Sequence, residues 1–249
     1  MSLNEVTLFI TSCGRPALLY RTLSSFVKYN TYPIKKVILC EDSGIQNIAD
    51  FAGSILPYDL TLCYNETRIG QMKTIEKYTP LIETPYVFHL EDDYEFFDSG
   101  FIELSLKILQ SDPKISQVLL EDMQHRYHHD LSYVHPLCNR ILTNNPQQHN
   151  ANNGDGALYC FSWRPSLKKT EMQRLRMPYE VWDDEYTIQL SINKLGLYSV
   201  VTKNTKDGQL GFCTHIGTEH HVPDTFGRVR ILGRKDFPDK INIRLNDIF

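Results

Sequence analysis

Apolar and polar positions fall into alternating blocks along the first half of the chain. Residues 6–10, 36–40, 60–64, 86–90 and 116–120 are short, mostly apolar runs rich in branched or aromatic side chains, the pattern of buried strands. Between them apolar residues recur at helical spacing: Leu18, Leu19, Thr22, Leu23 and Phe26; then Met72 and Ile75; then Leu104 and Ile108 within a helix over 101–110. Pro16 suits the first turn of the first of these helices, and Thr11-Ser12 offers it a cap. Strands alternating with helices predict an α/β fold, a mainly parallel central sheet flanked by helices and wound with right-handed crossovers.

The second half is less regular. Residues 121–156 are polar and hold His125, His128, His129, His135 and His149, which reads as a long loop region. A strand is expected over 157–163. A helix follows from about Asp183 to Leu195, with Ile188, Ile192 and Leu195 facing the core and Gly196 just past its end. A last strand is expected over 197–201, followed by a polar tail. With no repeat, low-complexity tract or linker, the pattern predicts a single domain over residues 1–249. Its more regular half would span residues 5–120, and 121–249 would form the other half and a tail.

Each predicted strand of the first half ends in polar residues: Thr11-Ser12, Glu41-Asp42, Asn65 to Arg68, and Glu91-Asp92-Asp93. In doubly wound sheets ligands bind outside the carboxyl ends of the strands, so these clusters define one candidate site. The run Tyr86-Val87-Phe88-His89-Leu90-Glu91-Asp92-Asp93 stands out, because three adjacent carboxylates repel one another unless a cation or hydrogen-bond donors compensate them. Oxygen ligands of this kind suit Mg²⁺ or Mn²⁺ carrying a phosphorylated substrate, and a polar turn after a core strand is the plainer alternative.

Composition narrows the classes. The 249 residues are 41% hydrophobic and 22% charged, as in an ordinary globular protein, and the net charge of −4 argues against nucleic acid as a partner. The six cysteines form no Cys-x-x-Cys pair, which disfavours a structural zinc site and suggests a reducing compartment. No secretory leader and no long apolar span is evident, so a cytoplasmic location is expected, with peripheral attachment to the membrane left open.

The order of these motifs, from Thr11-Ser12-Cys13-Gly14-Arg15-Pro16 through Glu41-Asp42-Ser43-Gly44, Asn65-Glu66-Thr67-Arg68-Ile69-Gly70 and Glu91-Asp92-Asp93 to Asp183-Asp184-Glu185, resembles the family 2 glycosyltransferases over roughly residues 5 to 200. The resemblance implies the GT-A, or nucleotide-diphospho-sugar transferase, fold, with residues 5–120 as its nucleotide-binding half and 121–249 as its acceptor-binding half and C-terminal tail. It implies inverting transfer of a sugar from a nucleotide-sugar, most readily a UDP-sugar, to a hydroxyl of a glycan or glycolipid acceptor, with Mn²⁺ or Mg²⁺ as cofactor. Carried over by position, Thr11 and Arg15 lie where the first loop meets the nucleotide. Asp42 would bond the base, Arg68 would approach base and ribose, and Asp92 would face the ribose. Asp93 and His215 would bind the metal, and Asp184-Glu185 would supply the catalytic base. Glu91 stands where the family usually has Asp, and residues 189–193 lack the Arg that commonly follows the base. Two other readings stay open: a sugar nucleotidyltransferase, although its glycine-rich first loop is missing, and a non-catalytic carbohydrate- or nucleotide-binding module with a decayed site.

Overall fold

A computed structural model describes residues 5–124, 130–142, 161–179 and 185–217. The expected strands of the first half form where the apolar runs lie: β1 (Val6–Ser12), β2 (Lys36–Glu41), β3 (Leu60–Tyr64), β4 (Tyr86–Glu91) and, after a short β5 (Tyr94–Phe96), β6 (Ile115–Leu119). Helices α1 (Pro16–Tyr29), α2 (Ala52–Ile55), α3 (Gln71–Tyr78) and α4 (Phe101–Ser111) separate them. The remaining elements are β7 (Asp130–His135), β8 (Cys138–Leu142), β9 (Ser166–Lys169), α5 (Thr170–Arg174), α6 (Glu185–Asn193), β10 (Tyr198–Thr202), the small pair β11 (Thr205–Lys206) and β12 (Gln209–Leu210), and β13 (Cys213–His215).

Nine strands form one sheet in the order β3-β2-β1-β4-β9-β6-β10-β8-β7. Strands β3, β2, β1 and β4 are mutually parallel; β9 opposes both β4 and β6, β10 is parallel to β6, and β8 opposes β10 and β7. All but β9 and β8 therefore run in one direction. The chain steps outward from β1 to β2 and β3, then returns to place β4 on the other side of β1. The crevice above β1 and β4 is thus a topological switch point.

Both faces of the sheet are covered, which explains why its strands read as continuous apolar runs rather than alternating ones. Leu8 and Ile10 of β1 join Leu19, Leu23 and Phe26 of α1 and Phe101 of α4 on one face. There Phe26 lies 5.9, 5.5 and 5.7 Å from the rings of Phe88, Phe96 and Phe101. Phe9, Ile38 and Val87 point to the other face, against Ile75 of α3, Trp163, and Ile188 and Ile192 of α6.

Four expectations are corrected. Leu195, expected to face the core, lies past the end of α6 and is exposed. The stretch expected to be a long loop contains the β7–β8 hairpin, whose side chains are mostly half-buried and so carry little apolar signal. The strand expected over 157–163 is not seen at residues 161–163; the sheet strand in this region is β9, a polar Ser-Leu-Lys-Lys segment. Thr11 and Ser12 do not cap α1: its N-cap is Arg15, with no side-chain cap, and both residues belong to β1. Trp182, Asp183, Asp184, Cys160, His125, His128, His129, His149, His220 and His221 lie outside the described residues. No helix among the described residues is long and apolar enough to cross a membrane.

Candidate functional site

The loop after β1 and the acids after β4 meet directly above the switch point. Strand β1 pairs with β4 so that Thr11 sits opposite Glu91, which leaves Ser12 to Arg15 beside Asp92 and Asp93. Asp92 Oδ2 accepts hydrogen bonds from Ser12 Oγ (3.2 Å), the Cys13 amide (3.3 Å) and Arg15 Nε (3.2 Å), and Arg15 Nη2 binds Asp92 Oδ1. The same guanidinium reaches the second acid, with Nη1 2.9 Å from Asp93 Oδ2. Burial pushes the Asp92 carboxyl up to about 6 despite the pull of Arg15. Asp93 moves the other way: burial raises it, but His215 and Arg15 outweigh burial and hold it below the usual carboxylate range.

His215 arrives from the far end of the chain. Strand β13 pairs antiparallel with β5, His215 opposite Tyr94, and the Ile216 amide donates to the Asp93 carbonyl at 2.8 Å. The imidazole Nε2 then lies 3.1 Å from Asp93 Oδ2, and its ring packs 5.0 Å from that of Tyr94. Two glycines are required for this approach. A Cβ on Gly211 would lie 2.3 Å from the Leu120 carbonyl oxygen, and one on Gly217 would lie 2.2 Å from Asp93 Oδ2.

The two acids at the end of β2, Glu41 within it and Asp42 just past it, behave differently. Glu41 Oε1 accepts from the amides of Gly14 (2.8 Å) and Ser43 (2.9 Å), which ties the first loop to the second. Both oxygens of Asp42 face inward. Oδ1 accepts from Asn65 Nδ2 (2.8 Å) and the Ile69 amide (2.9 Å), and Oδ2 from the Gly70 amide (2.7 Å). Asp42 therefore fixes the Arg68 loop and the start of α3. Arg68 is only partly exposed, and its buried Nε has no hydrogen-bond partner among the described residues; the same holds for the buried Thr11 Oγ1. Cys13 lies amid these groups: burial raises its thiol to about 11, Arg68 opposes this, and Asp42, Glu41 and Asp92 add to it. Thr11, Arg15, Asp42, Arg68, Asp92, Asp93 and His215 are thus gathered around the strand ends, with Asp42 acting inward.

Of the expected base pair, Glu185 is described. It is the first residue of α6, where a carboxylate is favoured by the helix dipole. Its Oε1 accepts from the Trp163 amide (2.5 Å) and Ser162 Oγ (3.0 Å). Oε2 has no hydrogen-bond partner among the described residues. Glu185 is near enough to raise the carboxyl of Glu91. Ser162, Trp163 and Gly217, which hold Glu185 and cover Asp93, were not singled out in the sequence; only Gly217, two residues after His215, carried a local signal.

The donor set fits a hard divalent ion: two carboxylates and an imidazole, with the Asp93 oxygen and His215 nitrogen 3.1 Å apart. Two neighbouring ligands of an octahedral ion at such metal–oxygen distances lie about 3 Å apart. As they stand, however, no three His, Cys, Asp or Glu donors among the described residues converge as a metal cluster, and Arg15 spans the two carboxylates.

No protein-family model matches the chain, and no curated protein matches it by sequence. Solved structures do resemble it. A mannosyltransferase, PcManGT, from Pyrobaculum calidifontis in complex with GDP-Man and Mn²⁺ superposes with a TM-score of 0.57 at 15% identity, over 84% of this chain. The fold is that of a GT-A glycosyltransferase. GalNAc-T7 with UDP, GalNAc and Mn²⁺ shares this fold with a TM-score of 0.54 at 12% identity, over 80% of this chain. The chain spans 59% and 42% of the lengths of these two proteins. At such identities the GT-A likeness establishes architecture, and chemistry must be argued from the site itself.

Proposed function

We propose that the chain is a metal-dependent inverting glycosyltransferase, moving a sugar from a nucleotide-sugar to a hydroxyl of a glycan or glycolipid. The observation that carries this reading is the contact between Asp93 and His215 at the switch point between β1 and β4, with Asp92 beside them and the Arg15 guanidinium spanning both carboxylates. Asp93 and His215, with Asp92, would hold Mn²⁺ or Mg²⁺, which as a Lewis acid offsets the charge that builds on the departing diphosphate. Both GT-A neighbours were solved with Mn²⁺, one with GDP-Man and one with UDP, so the base of this chain's donor is either guanine or uracil on that analogy.

Glu185 is the base in this reading. One oxygen is anchored by Ser162 and Trp163, which fixes the carboxylate plane and leaves the other to accept the acceptor's proton. As that proton leaves, the acceptor oxygen forms a bond to the anomeric carbon from the face opposite the diphosphate. The carbon–oxygen bond to the phosphate breaks, its electron pair goes to the nucleoside diphosphate, and the configuration inverts. Asp184 lies outside the described residues and remains the alternative base. Asp42 contributes by holding the Arg68 loop in place, with Arg68 and Cys13 facing the nucleotide.

Calorimetry of UDP and GDP binding, with and without Mn²⁺, tests this in the wild type and Asp93→Ala. Binding of one nucleotide that requires the metal and is lost in Asp93→Ala is expected. Neither nucleotide binding under any condition would overturn the reading.

A further inference from the structure

We propose that Arg15 is a displaceable resident cation: its guanidinium neutralises Asp92 and Asp93 until a divalent ion and a donor diphosphate arrive together, the ion taking the carboxylates and the diphosphate taking the guanidinium. The inference rests on the glycosyltransferase reading of this site and names how the site is regulated.

Two adjacent, largely buried carboxylates stay charged together only with a positive partner or several hydrogen-bond donors, because burial and mutual repulsion both disfavour their charged forms. In the free protein Arg15 meets that need with three nitrogens: Nε and Nη2 on Asp92, Nη1 on Asp93. The position is crowded. Asp93 Oδ2, the oxygen nearest His215, already faces Arg15 Nη1 at 2.9 Å and His215 Nε2 at 3.1 Å, and the Gly217 backbone covers it so closely that a methyl group would not fit. A divalent ion entering here would stand against a cation already in place. The guanidinium has to yield before the carboxylates can turn to a metal.

Its alternative partner is chemically matched. A planar fork that binds a carboxylate bidentately binds a phosphate equally well. Arg15 is also the N-cap of α1, a 14-residue helix with no side-chain cap and no acidic residue in its first turn. A diphosphate drawn to Arg15 would therefore lie near the N-terminal end of α1, where negative charge is favoured although Pro16 offers no amide hydrogen. The Arg15 side chain is 19% exposed, so it borders the crevice rather than the core. Exchange of this kind makes metal and nucleotide bind cooperatively, each removing a cost the other would bear alone, and the coupling is reciprocal.

The test is Mn²⁺ affinity, followed by the electron paramagnetic resonance of free Mn²⁺, for the wild type, Arg15→Gln and Arg15→Lys, alone and with saturating UDP or GDP. In the wild type the nucleotide is expected to tighten Mn²⁺ binding by about tenfold or more. In Arg15→Gln, Mn²⁺ alone is expected to bind about tenfold tighter than in the wild type, and the nucleotide to add less than about threefold. Arg15→Lys, which keeps the charge and loses the fork, should fall between them; it also stands in if the glutamine variant does not fold. Arg15 variants that leave Mn²⁺ affinity unchanged or weaken it, while the wild type shows metal-dependent nucleotide binding, overturn the exchange alone. Absence of Mn²⁺ binding in all three proteins, with either nucleotide, overturns the site reading and the exchange with it.

Discussion

Strands β2 and β4 flank β1 on opposite sides and end in similar acids, yet the two flanks are built on different terms. Under β2 the interior is apolar (Val37, Ile38, Leu39 and Cys40), and the acids that follow are held by Asn65 and four backbone amides that cannot move without unravelling the loops. Beside β4 the interior itself carries ionisable groups, His89 within the strand and Lys168 on the neighbouring β9, and the acids after it are held mainly by exchangeable side chains. The β2 flank is framework. The β4 flank keeps charges whose partners can be replaced by an ion and a substrate, at a cost in stability that natural sites commonly carry.

The sharpest way to break this comparison is to remove one acid from each flank. Asp42→Ala takes the acceptor from the amides of Ile69 and Gly70 and one of the two acceptors from Asn65 Nδ2, and is expected to lose about 2–4 kcal/mol in urea unfolding. Asp93→Ala relieves repulsion with Asp92 as it breaks contacts to Arg15 and His215, and is expected to lose less than about 1 kcal/mol. Equal losses would mean that both acids are framework and that the β4 flank has no exchangeable character.

The same division explains what the sequence disclosed. The strands of the β2 flank are continuous apolar runs punctuated by turn residues, so their places in the fold were legible. The side-chain partners could not be read. Asp42, matched by position to a base-binding acid, turns inward because the amides of Ile69 and Gly70 come within reach only once α3 is packed. Arg15, expected at the nucleotide, spans Asp92 and Asp93 because β1 and β4 are neighbours in the sheet, though 77 residues separate Arg15 from Asp92. Strand β9 was missed because buried strands are recognised by apolar composition, and Lys168 buries an ammonium instead.

That ammonium is the second point of attack. Lys168 is fully buried; its Nζ donates to the Ser162 carbonyl at 3.2 Å and lies over the rings of Phe161 and Trp163 at 4.7 and 5.0 Å. Burial pushes it down to about 7, with Glu185 and Glu91 pulling upward. An unfolded lysine titrates near about 10.4, so between pH 7 and that value the unfolded chain binds more protons, and stability rises with pH through this window. Lys168→Met is expected to be more stable than the wild type by about 1–3 kcal/mol at pH 7, with the gap narrowing by pH 9.5 in urea melts at both values. A less stable variant at pH 7 would show that the ammonium's contacts outweigh its desolvation, and that this part of the β4 flank is framework too.

The smallest expected effect sharpens the comparison within β4 itself. His89 is fully buried between the rings of Phe9 (5.8 Å) and Trp163 (5.3 Å), and neither ring nitrogen has a hydrogen-bond partner among the described residues. Burial, with a smaller contribution from the Lys168 charge, holds its pKa well below the usual imidazole range, so the folded protein keeps it neutral. The unfolded chain takes up this proton near about pH 6.5, so stability is present above that value and falls as the pH drops below it. His89→Leu removes both unpaired nitrogens and the titration. It is expected to be about 1 kcal/mol more stable at pH 7, and to gain about 2 kcal/mol further by pH 5, where the wild type carries the full cost of excluding the proton. Parallel stability curves for the two proteins between pH 7 and 5 would mean that His89 acquires a proton or a partner in the folded state. The interior of β4 would then be polar by satisfaction, like the loops after β2, and the contrast between the flanks would rest on Asp92, Asp93 and Lys168 alone.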